Sequence, residues 1–350
     1  MEDIKGIGKI VAQDYTVKLD KINSRLLSLL MSNARLQHST LAKVLKISKS
    51  NVLRRINLLE EKHIITGYHA FIDVDKIGLK ACLLFIQTKC TEQQRIRYVK
   101  KISEHPWVYG NIDITGKYNI MAAFYYKDSE QRDKLVENLL VPEHVKDFQT
   151  FNVKTEFPRL DYTTEMFPEE KSQVLRKDAS FSKLFAKKKE KRNIDNVDIK
   201  LLGILANNCR MSLTEMGEKL KISRETISYR IKKLITVGAI AKFQPAVNLF
   251  LLGFDAYLLM IKLAKPTQKR QIINYLKATH RCNTILTSDG GWDLMTIVHF
   301  KSNKEFRKLE TDMLLKFKDA VYEYSFEVMK HQEKLDWLPK TVVDDLKKRI

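Results

Sequence analysis

The chain has 350 residues, 44 % hydrophobic and 30 % charged, a balance that supports folded cores and excludes a disordered polypeptide. Its net charge of +20 and pI near 9.6 point to a polyanionic partner, either nucleic acid or an acidic membrane surface. Four cysteines (Cys82, Cys90, Cys209, Cys282) make no C-x-x-C pair and the histidines are scattered, so no disulfide framework, metal site or cofactor is expected. The first residues lack a continuous apolar segment, and the densest apolar stretch, Leu249 to Ile261, is broken by Gly253 and Asp255. No membrane partner is expected, and the cytoplasm is the expected location.

In chain order, Ile22, Leu26, Leu29 and Leu30 recur at helical spacing after Asp20 and predict a first helix. Ser39 reads as the N-cap of a second helix with Leu41, Val44 and Leu45 inward. After the short turn Lys46-Ile47, Ser48 caps a third helix whose apolar positions are Val52, Ile56 and Leu59. Ile47 and Val52 fit a hydrophobic staple, which fixes the entry angle of that helix. Alternation from His63 to Ile72 predicts two short strands, a wing. A strand at Ala81–Lys89, a helix at Glu92–Ser103, strands at Val108–Thr115 and Tyr118–Tyr126, a helix at Ser129–Leu140 and a strand at Val145–Lys154 follow. That order is βαββαβ, a ferredoxin-like unit with helices on one face of its sheet, so the other face needs a cover.

From Phe157 to Asn193 the chain carries Pro158, Pro168 and the run Lys187-Lys188-Lys189-Glu190-Lys191-Arg192, and reads as a basic linker. Ser180 to Arg192 can form a short helix with Phe181, Leu184 and Phe185 on one side. A flexible linker of this length spans roughly 30–35 Å on average, enough for the halves to pack together or separate. Beyond it the pattern repeats at an offset of 175 residues: Asp20 falls on Asp195, Arg35 on Arg210, Leu45-Lys46-Ile47-Ser48 on Leu220-Lys221-Ile222-Ser223, and Arg55-Ile56 on Arg230-Ile231. The expected fold is therefore α+β. It comprises a winged helix-turn-helix at 18–73, a ferredoxin-like effector or assembly unit at 78–156, the linker at 157–193, a second winged helix-turn-helix at 194–248, and a second ferredoxin-like unit at 253–332.

A short helix anchored by a turn, a cap and a staple suits a DNA-reading helix. Its outward residues are the candidate double-stranded DNA contacts: Ser48, Lys49, Ser50, Asn51, Arg54 and Arg55 in the first copy. In the second they are Arg224, Thr226, Ser228, Tyr229, Arg230 and Lys232, with Glu225 out of place among them. Arg forks onto guanine, Asn onto adenine, Ser and Thr onto bases or phosphate, and every cation releases counterions from the backbone. The alternative is that these residues are only the wet side of a surface helix; its duplication with cap, staple and basic face weighs against that.

These residues resemble the Lrp/AsnC family of feast/famine transcription regulators. The resemblance rests on Leu19-Asp20, on Val52-Leu53-Arg54-Arg55-Ile56 with Leu59-Glu60-Glu61, and on Ile65-Thr66-Gly67-Tyr68-His69-Ala70-Phe71-Ile72-Asp73. The turn Thr115-Gly116-Lys117-Tyr118-Asn119 is similar to the family's G-x-Y-D turn. The resemblance implies a sequence-specific DNA-binding regulator, not an enzyme. It also implies an effector, often an amino acid, bound near that turn at a sheet–sheet interface that drives assembly. Candidate effector residues are then Gly116, Tyr118 and Asn119 in copy one, and Gly290, Gly291 and Asp293 in copy two, where Asp293 restores the acidic residue that Asn119 lacks. Assembly would be a homo-oligomer or an intramolecular pseudo-dimer. Sirohaem decarboxylases share the two-part architecture, but the segments Asp113–Asn119 and Ser288–Asp293 lack the Arg/His-rich cluster such an enzyme would need. A purely architectural DNA-coating protein would use the same basic helices.

Overall fold

The computed structural model describes residues 10–11, 16–157, 193–288 and 291–348; the linker run and its candidate helix lie outside these. Copy one opens with β1 (Ile10–Val11), then helices α1 (Lys21–Ser32), α2 (His38–Leu45) and α3 (Lys49–Glu61). Strand β2 (Ile65–Ile72) leads into β3 (Lys80–Thr88), α4 (Glu92–Glu104), β4 (Val108–Thr115), β5 (Ile120–Tyr126), α5 (Ser129–Leu139) and β6 (Val145–Phe157). Copy two repeats this with α6 (Asn196–Asn207), α7 (Leu213–Leu220), α8 (Arg224–Thr236) and β7 (Ile240–Val247). It continues with β8 (Asp255–Leu263), α9 (Lys269–Ala278), β9 (Cys282–Ser288), β10 (Leu294–Phe300), α10 (Asn303–Phe317) and β11 (Val321–Leu335). A further helix, α11 (Lys340–Lys347), follows; the sequence reading stopped short of it.

Two expectations are corrected. Ser39 does not cap α2: the N-cap is Gln37, whose side chain makes no capping bond. The stretch after α3 is also not a two-stranded wing closed on itself. Ile65–Ile72 is one strand, and its partner is β7 of the other copy, antiparallel, with Tyr68 opposite Pro245 and Ala70 opposite Phe243. Alternation within the segment revealed strand character but could not reveal a partner 175 residues away.

The two βαββαβ halves cover each other by closing into a barrel. Antiparallel neighbours run β4–β5–β3–β6–β9–β10–β8–β11, and β11 returns to β4. Closure depends on the two long strands. The first part of β6 pairs with β3 and its end with β9, while the first part of β11 pairs with β8 and its end with β4. Each copy thus lends a strand end to the other under an internal two-fold relation, and β1 adds to the outer edge of β11. The barrel interior is apolar and shared, with Phe85, Tyr118, Met121 and Phe151 from copy one against Leu258, Met260, Trp292 and Met295 from copy two. A lone half would expose this face; closure removes it from water.

A separate core joins the helix-turn-helix units: Leu26, Leu30, Val52 and Ile56 from one, Leu201, Leu205, Ile227 and Ile231 from the other, and Leu338, Val342 and Leu346 of the C-terminal segment. Trp337 stacks on His69 at 4.9 Å, and Tyr125 Oη donates to the Trp337 carbonyl at 3.0 Å, so this segment joins the helix pair to the barrel. Among the described residues no helix is long and apolar enough to cross a membrane.

Candidate nucleic-acid interface

Helices α3 and α8 are built alike. Ser48 Oγ accepts from the Asn51 amide at 3.1 Å, and Ser223 Oγ from the Thr226 amide at 3.1 Å, satisfying first-turn amides. Lys46 and Lys221, both left-handed at φ 56°, end the preceding helices. Val52, Ile56 and Leu59 are buried, as are Ile227, Ile231 and Leu234, which pins one face and leaves the other in water.

On the wet face of α3 stand Ser48, Lys49, Ser50 and Arg54, with Asn51 half-buried beside them; Arg54 donates to Asn51 Oδ1 at 3.2 Å. On α8 the face carries Arg224, Glu225, Tyr229 and Lys232, with Thr226 and Ser228 half-buried. Two large apolar or aromatic side chains also lie on these faces. Leu53 is 46 % exposed and Tyr229 is 60 % exposed, large values for side chains with no solvent function. Leu53 escaped the sequence reading because it is apolar, although its helical position, one residue before Arg54, already placed it outward.

Arg55 and Arg230, also candidate contacts, are instead engaged within their own units. Arg55 Nη1 donates to Asp20 Oδ2 at 2.7 Å and Asn23 Oδ1 at 2.8 Å. Arg230 Nη1 reaches Asp195 at 2.7 Å and Asp198 at 2.8 Å, and Lys233 joins Asp198 at 2.6 Å. These arginines tie the third helix of each unit to the N-terminus of its first. Burial alone would raise the Asp20 and Asp195 carboxyls, but the arginine hydrogen bonds and charges outweigh it and hold both below the ordinary value.

The units meet through reciprocal contacts. Arg35 Nη1 donates to the Cys209 carbonyl, and Arg210 Nη1 to the Ala34 carbonyl at 2.6 Å. Arg35 lies over the Phe243 ring and Arg210 over Tyr68; the Ala34 amide donates to Phe243 O and the Cys209 amide to Tyr68 O, both at 3.0 Å. Together with the β2–β7 pairing, these contacts hold the two heads in one body.

In the barrel, the candidate effector residues fall at the strand turns, with Gly290 outside the described residues. Their side chains are engaged structurally. Asn119 Oδ1 accepts from the Thr88 amide at 2.8 Å; at the matching place Asp293 Oδ2 accepts from the Leu263 amide at 2.9 Å, and Asp293 Oδ1 pairs with Lys269 at 3.2 Å. Both Asp293 oxygens thus have partners within copy two. Tyr118 Oη and Trp292 Nε1 both donate to Gln149 Oε1, at 2.9 and 3.1 Å. Gly116 (φ 143°) and Gly291 (φ 59°) lie under other side chains: a Cβ would overlap the Glu327 carboxyl at the first and Gln149 at the second. Glu327 is the residue sequence reasoning missed. It is buried, one oxygen accepts from Ser325 Oγ at 2.9 Å, the Lys117 amide favours its charged form, and Oε2 meets no partner in hydrogen-bond geometry among the described residues. Burial raises its carboxyl above the ordinary value, against the Ser325 bond and Lys117.

Comparison with known proteins follows the same division. Residues 194–235 match the AsnC-type helix-turn-helix domain, and residues 19–66 match a winged helix-turn-helix DNA-binding model. The HTH-type transcriptional regulator Ptr1 of Methanocaldococcus jannaschii is 30 % identical over 115 residues, 33 % of this chain and 78 % of that protein. The chain belongs to the Lrp/AsnC family of transcription regulators. An uncharacterised HTH-type transcriptional regulator of Pyrococcus abyssi is 30 % identical over 130 residues, 37 % of this chain and 88 % of that one. Each relative spans about one copy, so this Lrp/AsnC member carries two copies in one chain. The siroheme decarboxylase NirDL covers 94 % of this chain and 98 % of its own at TM-score 0.62 and 13 % identity; that likeness extends to the fold alone.

Proposed function

We propose that this regulator reads one asymmetric double-stranded DNA site as an intramolecular pseudo-dimer, with α3 and α8 as unlike reading heads. Its units are taken as winged helix-turn-helix 18–73 and 194–248, each followed by a ferredoxin-like unit, 78–156 and 253–332. The observation that carries this reading is the pair of capped helices with divergent wet faces in a body joined by reciprocal arginines. Positions that match in both copies are structural: Ser48 and Ser223 cap, and Arg55 and Arg230 brace. Positions that face outward differ: Lys49 and Arg224, Asn51 and Thr226, Arg54 and Tyr229. Such divergence suits two different half-sites.

The barrel is the proposed effector unit. An amino acid suits the turn near Gly116 and Tyr118, where the spare oxygen of Glu327 can take an ammonium group. Selection from genomic fragments, with and without pooled amino acids, tests both parts. The expected result is a bipartite site whose affinity changes with one amino acid. Recovery of fragments with no shared sequence would replace the reading with an architectural one.

A further inference from the structure

Where the helix-turn-helix units meet, a cavity of about 330 Å³ opens between Arg35, Gln37, His38, Lys49 and Arg210. No carboxylate lines it, and neither Arg35 nor Arg210 has an acidic partner among the described residues. Both guanidinium groups are fixed by carbonyls of the opposite copy, and Arg210 Nη2 also lies 2.8 Å from His38 Nε2. Cations held close together by neutral partners repel one another, and an anion between them relieves that.

The same cavity meets the start of α2. Gln37 gives that helix no side-chain cap, and its first turn holds no acidic residue. In copy two the matching helix, α7, is closed by a capping box in which Ser212 and Glu215 bond each other's backbone amides. Glu215 thus brings its own negative group to the helix start, and Leu213 stands where copy one has His38. Copy one has the uncapped amides and the cations without the internal anion.

We propose that this cavity binds a phosphate group. The group comes either from a free phosphorylated ligand or from the backbone of bound duplex; the second source rests on the DNA-reading function proposed above. One variant separates the possibilities: Gln37→Ser with Thr40→Glu, which copies the α7 capping box and puts a carboxylate at the α2 start. His38→Leu, the residue found at that place in copy two, is the independent second variant.

Melting of the full chain is measured in inorganic phosphate and in chloride at equal ionic strength, and affinity for a selected duplex is measured across salt. The expected result is that millimolar phosphate raises the wild-type melting temperature and not that of the capped variant. The capped variant itself melts no lower than wild type without phosphate, so lost binding is not lost folding. If the phosphate belongs to DNA, both variants lose roughly tenfold in affinity, and the capped variant, which sets a carboxylate against the site, also loses about one unit of salt slope. If it belongs to a free ligand, duplex affinity stays unchanged while the phosphate shift is lost. A wild-type chain indifferent to phosphate, with variants of unchanged salt slope, overturns the proposal, as does a capped variant that keeps the full phosphate shift. A wild-type chain that binds no duplex defeats the DNA reading and leaves the phosphate arm to decide the cavity.

Discussion

Arg54 and Arg55 are neighbours in sequence with opposite tasks, and their substitution to alanine should separate affinity from stability. Arg54 projects into water, so Arg54→Ala should leave urea unfolding unchanged and cost about 1–3 kcal/mol in duplex affinity if it holds a base. Arg55 is bound to Asp20 and Asn23, so Arg55→Ala should cost about 1–2 kcal/mol of stability and leave sequence preference intact. Arg230→Ala should cost more, about 3 kcal/mol, because Asp198 is fully buried and its Oδ1 would lose its arginine, leaving Oδ2 with Lys233 and the Asp195 amide. Equal unfolding midpoints for Arg54→Ala and Arg55→Ala would overturn the division. The sequence held the clue: the outward positions of the third helices differ between the copies, whereas the Asp20–Arg55 pair recurs as Asp195–Arg230. Residue type alone made both arginines look alike. Glu327 gives a second residue-scale prediction. Its folded carboxyl titrates above the ordinary 4.5, so between those values the folded chain holds more protons than the unfolded one. Stability therefore falls as pH rises from 4.5 through the folded pKa and is level above it. Glu327→Gln should remove that loss, melting higher than wild type near neutrality and converging with it towards pH 4. If the pH profiles run parallel, the carboxyl is not titrating in a buried site. Asp293→Asn should keep the turn, as Asn119 does in copy one, and leave any amino-acid affinity intact where Glu327→Gln abolishes it.

At the scale of elements, helices and strands with strong periodicity were legible, and partners distant in sequence were not. Val108–Thr115 is a strand over the residues its pattern indicates, because apolar Ile112 and Ile114 alternate with polar Asn111 and Asp113. Strand β2 was legible as a strand, yet its partner β7 is set by packing between copies, which no local pattern encodes. The extension of β6 and β11 past their own sheets was hidden for the same reason. Helix α11 lay beyond the repeat, so the offset that found everything else could not find it. This helix matters to coupling. Leu338, Val342 and Leu346 are buried in the helix-turn-helix core, while Lys127 of copy one pairs with Asp345 and Tyr125 holds the Trp337 carbonyl. Each buried aliphatic contributes about 1.5–3 kcal/mol. Ending the chain after Asp336 should therefore destabilise the helix pair by several kcal/mol and leave the barrel folded. Calorimetry should then show two transitions in place of one; a single transition at the wild-type temperature would mean that α11 is not a strut.

For the whole molecule, joining two copies by a covalent linker changes what DNA can be read. A homodimer of single-copy chains presents two identical helices and favours a palindrome. Here α3 presents Lys49, Asn51, Leu53 and Arg54, and α8 presents Arg224, Thr226, Ser228 and Tyr229 at the corresponding places. Leu53 and the Tyr229 ring suit thymine methyl groups, while Arg54 and Asn51 suit purine edges. The preferred duplex should hold two unlike half-sites about one helical turn apart. Replacing one half-site with an inverted copy of the other keeps every phosphate and changes only the bases under one head. Affinity should then drop by about 1–3 kcal/mol for each mismatched pair, whichever half is replaced. The electrostatic part should be common to all these duplexes. With roughly six or more phosphate contacts, affinity should fall on the order of a thousandfold between 50 and 200 mM salt, with the same slope for native and symmetrised sites. A symmetrised duplex that binds as well as the native one would show that one head reads the site alone or that neither reads bases. A flat salt response would mean that the charge of +20 serves another partner. Mass measurement on the same complexes settles the stoichiometry: one chain per bipartite site is the expected value, because the two heads are already joined by β2–β7 and the paired arginines. Two chains per site would mean that each contributes a single head, and the asymmetry of the preferred duplex would then disappear.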